Sequence, residues 1–143
     1  MIRQLFPTSL WRGQLGAVPE LPALEAACWF LEDNDHAGHE WCTREGYDGY
    51  TSYASLDDLP ERLPEFADLK TVLDTAALEF ARALHWDITP EQLSLCALWV
   101  NILGEGAMHS GHIHPGSVIS GTVYVAVPEG AGRIKFEDPR LAM

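Results

Sequence analysis

The chain has 143 residues, 47% of them hydrophobic, which is enough for one domain with a real core and too few for two. Acidic residues outnumber basic ones 21 to 9, giving a formal net charge of -12. Neither a nucleic-acid backbone nor an anionic membrane surface attracts such a chain, so we expect a small-molecule or protein substrate. The composition does not distinguish a monomer from a homo-oligomer.

The cysteines, the apolar runs and the N-terminus indicate the cellular compartment. Cys28, Cys42 and Cys96 are odd in number and lack C-x-x-C spacing, so they indicate neither a disulfide framework nor a zinc knuckle. No apolar run approaches the roughly 20 residues that span a bilayer, and the N-terminus has no signal-peptide core. We therefore expect a cytoplasmic protein with reduced thiols.

The first two thirds of the chain has helical patterns on either side of an irregular stretch. The run 23–32 after Pro22 is rich in helix formers, and between Glu65 and Trp86 apolar residues recur every three or four positions. Both predict helices. Residues 33–53 are dense in glycine and aromatics and predict a long loop, while 89–92 resembles a capping box.

The last third has the patterns of strands. Residues 93–103 are apolar on both parities, which predicts a buried strand. Residues 118–127 alternate, with Ser120, Thr122 and Tyr124 on a more polar face, and 133–136 predicts a short strand after a turn at 128–132. Gly121 lies on the apolar parity, where a missing side chain indicates a bulge or a close approach by another segment.

Three histidines fall within six residues. His112 and His114 are spaced i, i+2, which in an extended strand puts both imidazoles on one face. Imidazole is a good ligand for Fe, Zn, Ni or Cu, so both are predicted metal ligands. His109 would point away unless the chain bends at Gly111, and Pro115–Gly116 predicts a turn. A polar loop without metal is the alternative.

Four ordered motifs resemble a small bacterial and phage family of 2-oxoglutarate/Fe(II)-dependent oxygenases, whose members carry W-x-N, H-x-H-P-G-S, S-G-x-x-Y-V and F-x-D-P-R. Here they read Trp99-Val100-Asn101, then His112-Ile113-His114-Pro115-Gly116-Ser117, then Ser120-Gly121-Thr122-Val123-Tyr124-Val125, and finally Phe136-Glu137-Asp138-Pro139-Arg140. Residues 5–8 and 46–52 are also similar to that family, so the resemblance covers nearly the whole chain.

The resemblance implies an α+β fold in which helices pack outside a double-stranded β-helix, the jelly roll shared with cupins. The chain would be one domain, 1–143, with a helical N-terminal part at 1–92 and the first half of the jelly roll at 93–143. The implied protein is a bacterial, cytoplasmic, non-haem dioxygenase that hydroxylates an unknown substrate with Fe(II) and 2-oxoglutarate. His112 and His114 would bind the metal, and Asn101, Ser120 and Tyr124 are candidates for hydrogen bonds to 2-oxoglutarate.

The sequence departs from the family pattern at two points. His114 stands where a carboxylate is more usual. The pattern also continues past its last motif into strands that carry another His and a basic residue for the 2-oxoglutarate carboxylate, whereas no His follows His114. We therefore expect that the chain is a fragment whose third metal ligand lies outside it; the alternatives are a site completed by another chain and a protein that is not an oxygenase.

Two other functions compete with an oxygenase. Gly106 followed by His112-Ile113-His114 fits the opening of the cupin signature, G-x5-H-x-H, although the Glu and the later His of that signature are missing. A metal-binding cupin, either an isomerase or a sensor, is one alternative. A non-catalytic jelly-roll binding module, with the histidines in a turn, is the other.

Overall fold

The computed structural model describes residues 1–3, 5–16 and 20–138. Within them the fold is a mixture of helices with a small sheet, in the order α1 (Leu21–Asn34), α2 (His36–Glu45), β1 (Tyr50–Thr51), α3 (Leu59–Arg62), α4 (Pro64–Ala83), a 3-10 helix (Pro90–Gln92) and β2 (Asn101–Ile102). None of these helices is long and apolar enough to cross a membrane.

Helices α1 and α4 build the core, and both were predicted from the sequence. The buried residues of α1 are Leu24, Ala27, Cys28 and Leu31, whose i, i+3, i+4, i+7 spacing puts them on one face. They pack in one cluster with Phe66 and Leu69 of α4 and with Leu59, Tyr50 and Val100. The predicted capping box is also confirmed, because the Thr89 N–H donates to Gln92 Oε1 at 2.7 Å.

Helix α2 lies where the sequence predicted only a loop, so that prediction was wrong. Asp35 begins the helix, its carboxylate accepting a hydrogen bond from the Gly38 N–H at 3.0 Å. Gly46 ends it in the left-handed conformation, φ 67°. Helix α2 has only a few buried positions, among them Gly38 and Cys42. Its sequence therefore contains few apolar residues and does not show the periodicity that predicts a helix.

Strands β1 and β2 pair antiparallel, with Tyr50 opposite Ile102 and Thr51 opposite Asn101. The predicted strand 93–103 is therefore wrong in length: within it only Asn101–Ile102 joins the sheet, and Leu98 makes an isolated bridge to Asp58. Backbone pairing extends only as far as the partner strand does, and here the partner, β1, has two residues.

Residues 103–138 form no strand, contrary to the predictions for 118–127 and 133–136. The predicted alternation persists in burial, because Val123 and Val125 pack against the core while Ser120 and Tyr124 are exposed. A Cβ on Gly121 would meet nothing within 4 Å, so the predicted close approach is wrong. Two strands of two residues are too few to test the jelly roll, which stays a prediction.

Candidate metal site

The two predicted metal ligands lie side by side. His112 Nε2 is 3.1 Å from His114 Nε2, and the ring centroids are 4.7 Å apart at an interplanar angle of 75°. The extended strand that motivated their pairing is absent in this segment. Instead, the chain turns immediately afterwards: the Ser117 N–H donates to the His114 carbonyl, and Gly116 has φ 85°. This is the turn predicted at Pro115–Gly116.

The spacing of the two nitrogens fits one metal ion. Two imidazole nitrogens each about 2.1 Å from a shared metal, and 3.1 Å from each other, subtend about 95° at it, close to the angle between adjacent octahedral positions. His112 Nδ1 also lies 2.8 Å from the Ser110 carbonyl oxygen. A carbonyl only accepts, so Nδ1 is the protonated nitrogen of His112. Its Nε2 lone pair then accepts a hydrogen bond from His114 Nε2, a contact that a bound metal would replace.

His109 contacts His112, although a continuous strand would have pointed its side chain away from the pair. Its ring lies edge-to-face against His112, with centroids 4.6 Å apart. Its Nδ1 is 2.8 Å from the Tyr47 hydroxyl, a contact between residues 62 positions apart in the chain. His109 is exposed overall, but the partial burial of its ring, followed by the nearby His112 and His114, lowers its pKa and favours the neutral imidazole. Within the described residues, no three His, Cys, Asp or Glu side chains are arranged to hold a metal.

The end of α2 places Tyr47. Gly46 adopts positive φ, its N–H donates to the Thr43 carbonyl, and the Tyr47 N–H donates to the Cys42 carbonyl at 2.9 Å. These two bonds make a Schellman motif, which fixes the direction in which the chain leaves the helix. Burial raises the pKa of Tyr47 to about 12, so its hydroxyl remains protonated at neutral pH.

A second aromatic contact holds His114 from the other side. The Trp99 ring lies 5.8 Å from the His114 ring, and Tyr53 lies edge-to-face on Trp99 at 5.1 Å. Ser52 aligns the two segments: its N–H donates to the Val100 carbonyl at 3.0 Å, and the Val100 N–H donates to Ser52 Oγ at 3.1 Å.

These contacts form a closed series of side chains. Trp41 of α2 contacts Tyr47, with centroids 6.4 Å apart, and also Tyr53, at 6.2 Å. We call the resulting closed series of side chains the aromatic circuit; in order, its members are Trp41, Tyr47, His109, His112, His114, Trp99 and Tyr53. Both predicted ligands are therefore held between aromatic rings that come from 41–53 and from 99–109.

The predicted cosubstrate residues are less closely tied to this site. Asn101 is exposed on β2, and Ser120 and Tyr124 are exposed in the irregular segment. The structure gives no hydrogen bond or ring contact between these three described side chains and the histidine pair. Their role as 2-oxoglutarate ligands stays a prediction.

Two further histidines, His36 and His39, lie on α2. They line a separate open cleft with Arg44, and the ring nitrogen Nε2 of His39 lies 2.6 Å from the Glu32 carbonyl oxygen. A second cleft, of about 390 Å³, adjoins the aromatic circuit. It is lined by Trp41, Glu45, Gly46, Tyr47, Asp48, Gly106, Met108 and Ser110.

The sequence reasoning missed the contribution of Trp41, Tyr47 and Tyr53. The stretch 33–53 is predicted from the sequence as a long loop rich in aromatic residues, but nothing in it indicates which later residues it contacts. One local signal was available: Asp35 at a helix start and Gly46 after Arg44 are the usual residues at helix ends, and together they predict α2.

The comparisons agree with the resemblance in the last third of the chain. Residues 97–143 match the family model described as "Putative 2OG-Fe(II) oxygenase". This range includes His112 and His114, which supports assigning the segment to an oxygenase family that uses Fe(II) and 2-oxoglutarate. No curated protein matches the chain.

Proposed function

We propose that the protein is a non-haem Fe(II)/2-oxoglutarate-dependent dioxygenase that hydroxylates an unidentified substrate. The observation that carries the proposal is the 3.1 Å approach of His112 Nε2 to His114 Nε2, inside the segment that matches the oxygenase family. The carbonyl of Ser110 supports it further, because it holds His112 in the tautomer that a metal requires.

His112 and His114 would hold the iron through their Nε2 atoms. When bound, Fe(II) with 2-oxoglutarate supplies the activation of molecular oxygen that hydroxylates a C–H bond, while 2-oxoglutarate becomes succinate and carbon dioxide. Both ligands are neutral imidazoles. A site without a ligating carboxylate keeps more of the positive charge of the metal, which favours an anionic cosubstrate.

Three exposed polar side chains are the candidates for binding the carboxylates of the cosubstrate. Asn101 offers an amide N–H, and Ser120 and Tyr124 offer hydroxyls that share one parity of the chain. The Trp99 ring beside His114 reduces the access of water to that side of the pair. The substrate has room in the cleft beside Tyr47.

Metal binding is the first test. His112→Ala or His114→Ala should lower Fe(II) affinity far more than His36→Ala, because only the first two remove a converging nitrogen. Calorimetry under anaerobic conditions measures the affinity, with His36→Ala as the matched control on an exposed face of α2. Equal affinities in the three variants would contradict the site.

Turnover separates an oxygenase from the alternatives. An oxygenase loaded with Fe(II) should release succinate from 2-oxoglutarate slowly even without its substrate, whereas a cupin isomerase or a binding module should not. A protein that binds Fe(II) without releasing succinate would favour the cupin.

A further inference from the structure

His112 has one anchor that fixes a nitrogen and a second contact that fixes its plane. The hydrogen bond from Nδ1 to the Ser110 carbonyl opposes rotation of the ring about its Cβ–Cγ bond, but this residue is exposed and one hydrogen bond restrains it only weakly. The edge-to-face contact with His109, at 82° and 4.6 Å, adds a second restraint, because rotation of His112 would bring the two rings into collision.

His109 can restrain its neighbour only if it is itself held. It is exposed in an irregular segment, but its Nδ1 is hydrogen-bonded to the Tyr47 hydroxyl at 2.8 Å, and the two rings lie edge-to-face with centroids 5.6 Å apart. Tyr47 in turn is fixed by the Schellman motif at the end of α2 and by Trp41. The orientation of His112 is thus linked through two side chains to a helix end.

We propose that Tyr47 and His109 are positioning residues for metal binding at His112 and His114. They hold the His112 ring in the plane that aims Nε2 towards His114 before metal arrives. A metal then meets an ordered pair of nitrogens, and binding does not have to supply the free energy of ordering the ring. This inference rests on the metal site of the proposed function, and its test separates the two.

His109 is assigned to positioning, not to ligation, because within the described residues three donors do not converge on one point. The two roles differ in an observable quantity, the number of imidazole nitrogens on the metal.

The primary experiment compares Tyr47→Phe with Tyr53→Phe in the 143-residue chain. Tyr47→Phe removes only the hydroxyl that holds His109, whereas Tyr53→Phe removes a hydroxyl from another member of the aromatic circuit and keeps its ring contacts with Trp41 and Trp99. Calorimetric titration with Co(II) alone should show Tyr47→Phe binding about 10-fold more weakly, while Tyr53→Phe binds like the wild type. Thermal midpoints of both variants should stay close to the wild-type value.

The second measurement reports on the metal itself. Pulsed EPR of the Cu(II)-loaded protein should count two imidazoles in the wild type, in Tyr47→Phe and in His109→Ala, with broadened signals in the two variants because the His112 ring is no longer held in one plane. A count that falls from three to two in His109→Ala would make His109 a ligand and overturn the positioning role.

The remaining outcomes are equally decisive. Wild-type affinity and line shape in Tyr47→Phe would overturn this inference and leave the proposed function standing. A wild-type chain that binds neither Co(II) nor Cu(II) at its histidines would overturn the metal site, and with it both the proposed function and this inference.

Discussion

Asp35 is the residue that joins the helices to the sheet by polar contacts. Its buried carboxylate accepts hydrogen bonds from the Gly38 N–H, from the Tyr50 hydroxyl at 3.0 Å and from the Ser55 hydroxyl. A buried carboxylate is stable only when its oxygens are satisfied, and these three donors satisfy it. Burial and the bond to Asp35 raise the pKa of Tyr50, so its hydroxyl stays a donor.

The three thiols should differ in reactivity because they differ in burial. Cys28 and Cys42 are buried and Cys96 is exposed. Burial, with a smaller contribution from Glu25, raises the pKa of Cys28 to about 11, and the thiolate is the reactive form. Because the folded pKa lies above the unfolded value, Cys28 contributes full stability below about pH 8.5 and loses that contribution as the pH rises towards 11.

A thiol titration at pH 8 measures this difference. One thiol should react rapidly with a disulfide reagent in the native protein, and all three should react in denaturant. Cys96→Ser should abolish the fast phase. A fast phase that persists in Cys96→Ser would show that one of the buried thiols is accessible.

At the scale of elements, the sequence predicts α1 and α4 well and the sheet poorly. The helices follow from local periodicity, which both carry clearly: Leu24 to Leu31 in α1 and Phe66 and Leu69 in α4. A strand depends on its partner, and no local pattern shows that β1 offers only two residues. The same limit applies to the site: the spacing of His112 and His114 predicts the pair, whereas the contact of His109 with Tyr47 spans 62 positions.

Two glycines that precede β1 make a matched test of the sheet. Gly46 has φ 67° and open space where a Cβ would lie, so Gly46→Ala should cost only the backbone strain, about 1 kcal/mol. Gly49 has φ 134°, and a Cβ there would collide with the Ile102 carbonyl oxygen of β2. Gly49→Ala should therefore destabilise by more, about 2 to 4 kcal/mol, through strain and a broken strand pair.

Urea unfolding of the two variants gives the comparison, with Gly121→Ala as a control. Gly121 has open space, and no positive φ constrains it, so its substitution should leave the unfolding midpoint nearly unchanged. Equal losses at Gly46 and Gly49 would mean that the β1–β2 pair contributes nothing measurable.

At the scale of the whole molecule, packing is uneven. The core is built mainly from α1, α3, α4 and the two strands, while 103–138 adds Val123 and Val125 to it. The same C-terminal segment exposes large apolar side chains; they are Leu103, Met108, Ile113, Val118, Tyr124, Val127, Ile134 and Phe136. The histidine pair lies in this segment, so its order depends on contacts with the better-packed part.

Cosubstrate should stabilise the whole protein if the proposed function is right. At a 2-oxoglutarate concentration roughly 100-fold above its dissociation constant, mass action adds about 2.7 kcal/mol, which raises the thermal midpoint of a domain near this size by several degrees. A thermal scan of the Fe(II)-loaded protein, with succinate as a control ligand, measures the shift. A midpoint that 2-oxoglutarate leaves unchanged would count against the proposed function.

The aromatic circuit crosses the start of the family match at residue 97 in two places, Tyr47–His109 and Tyr53–Trp99. A piece excised at that boundary would keep both metal-binding candidates and every motif that identifies the family. It would lose Trp41, Tyr47 and Tyr53, the rings that hold them. The start of the family match and the start of the aromatic circuit are different places in this chain, so an expression plasmid designed on the first would cut through the second.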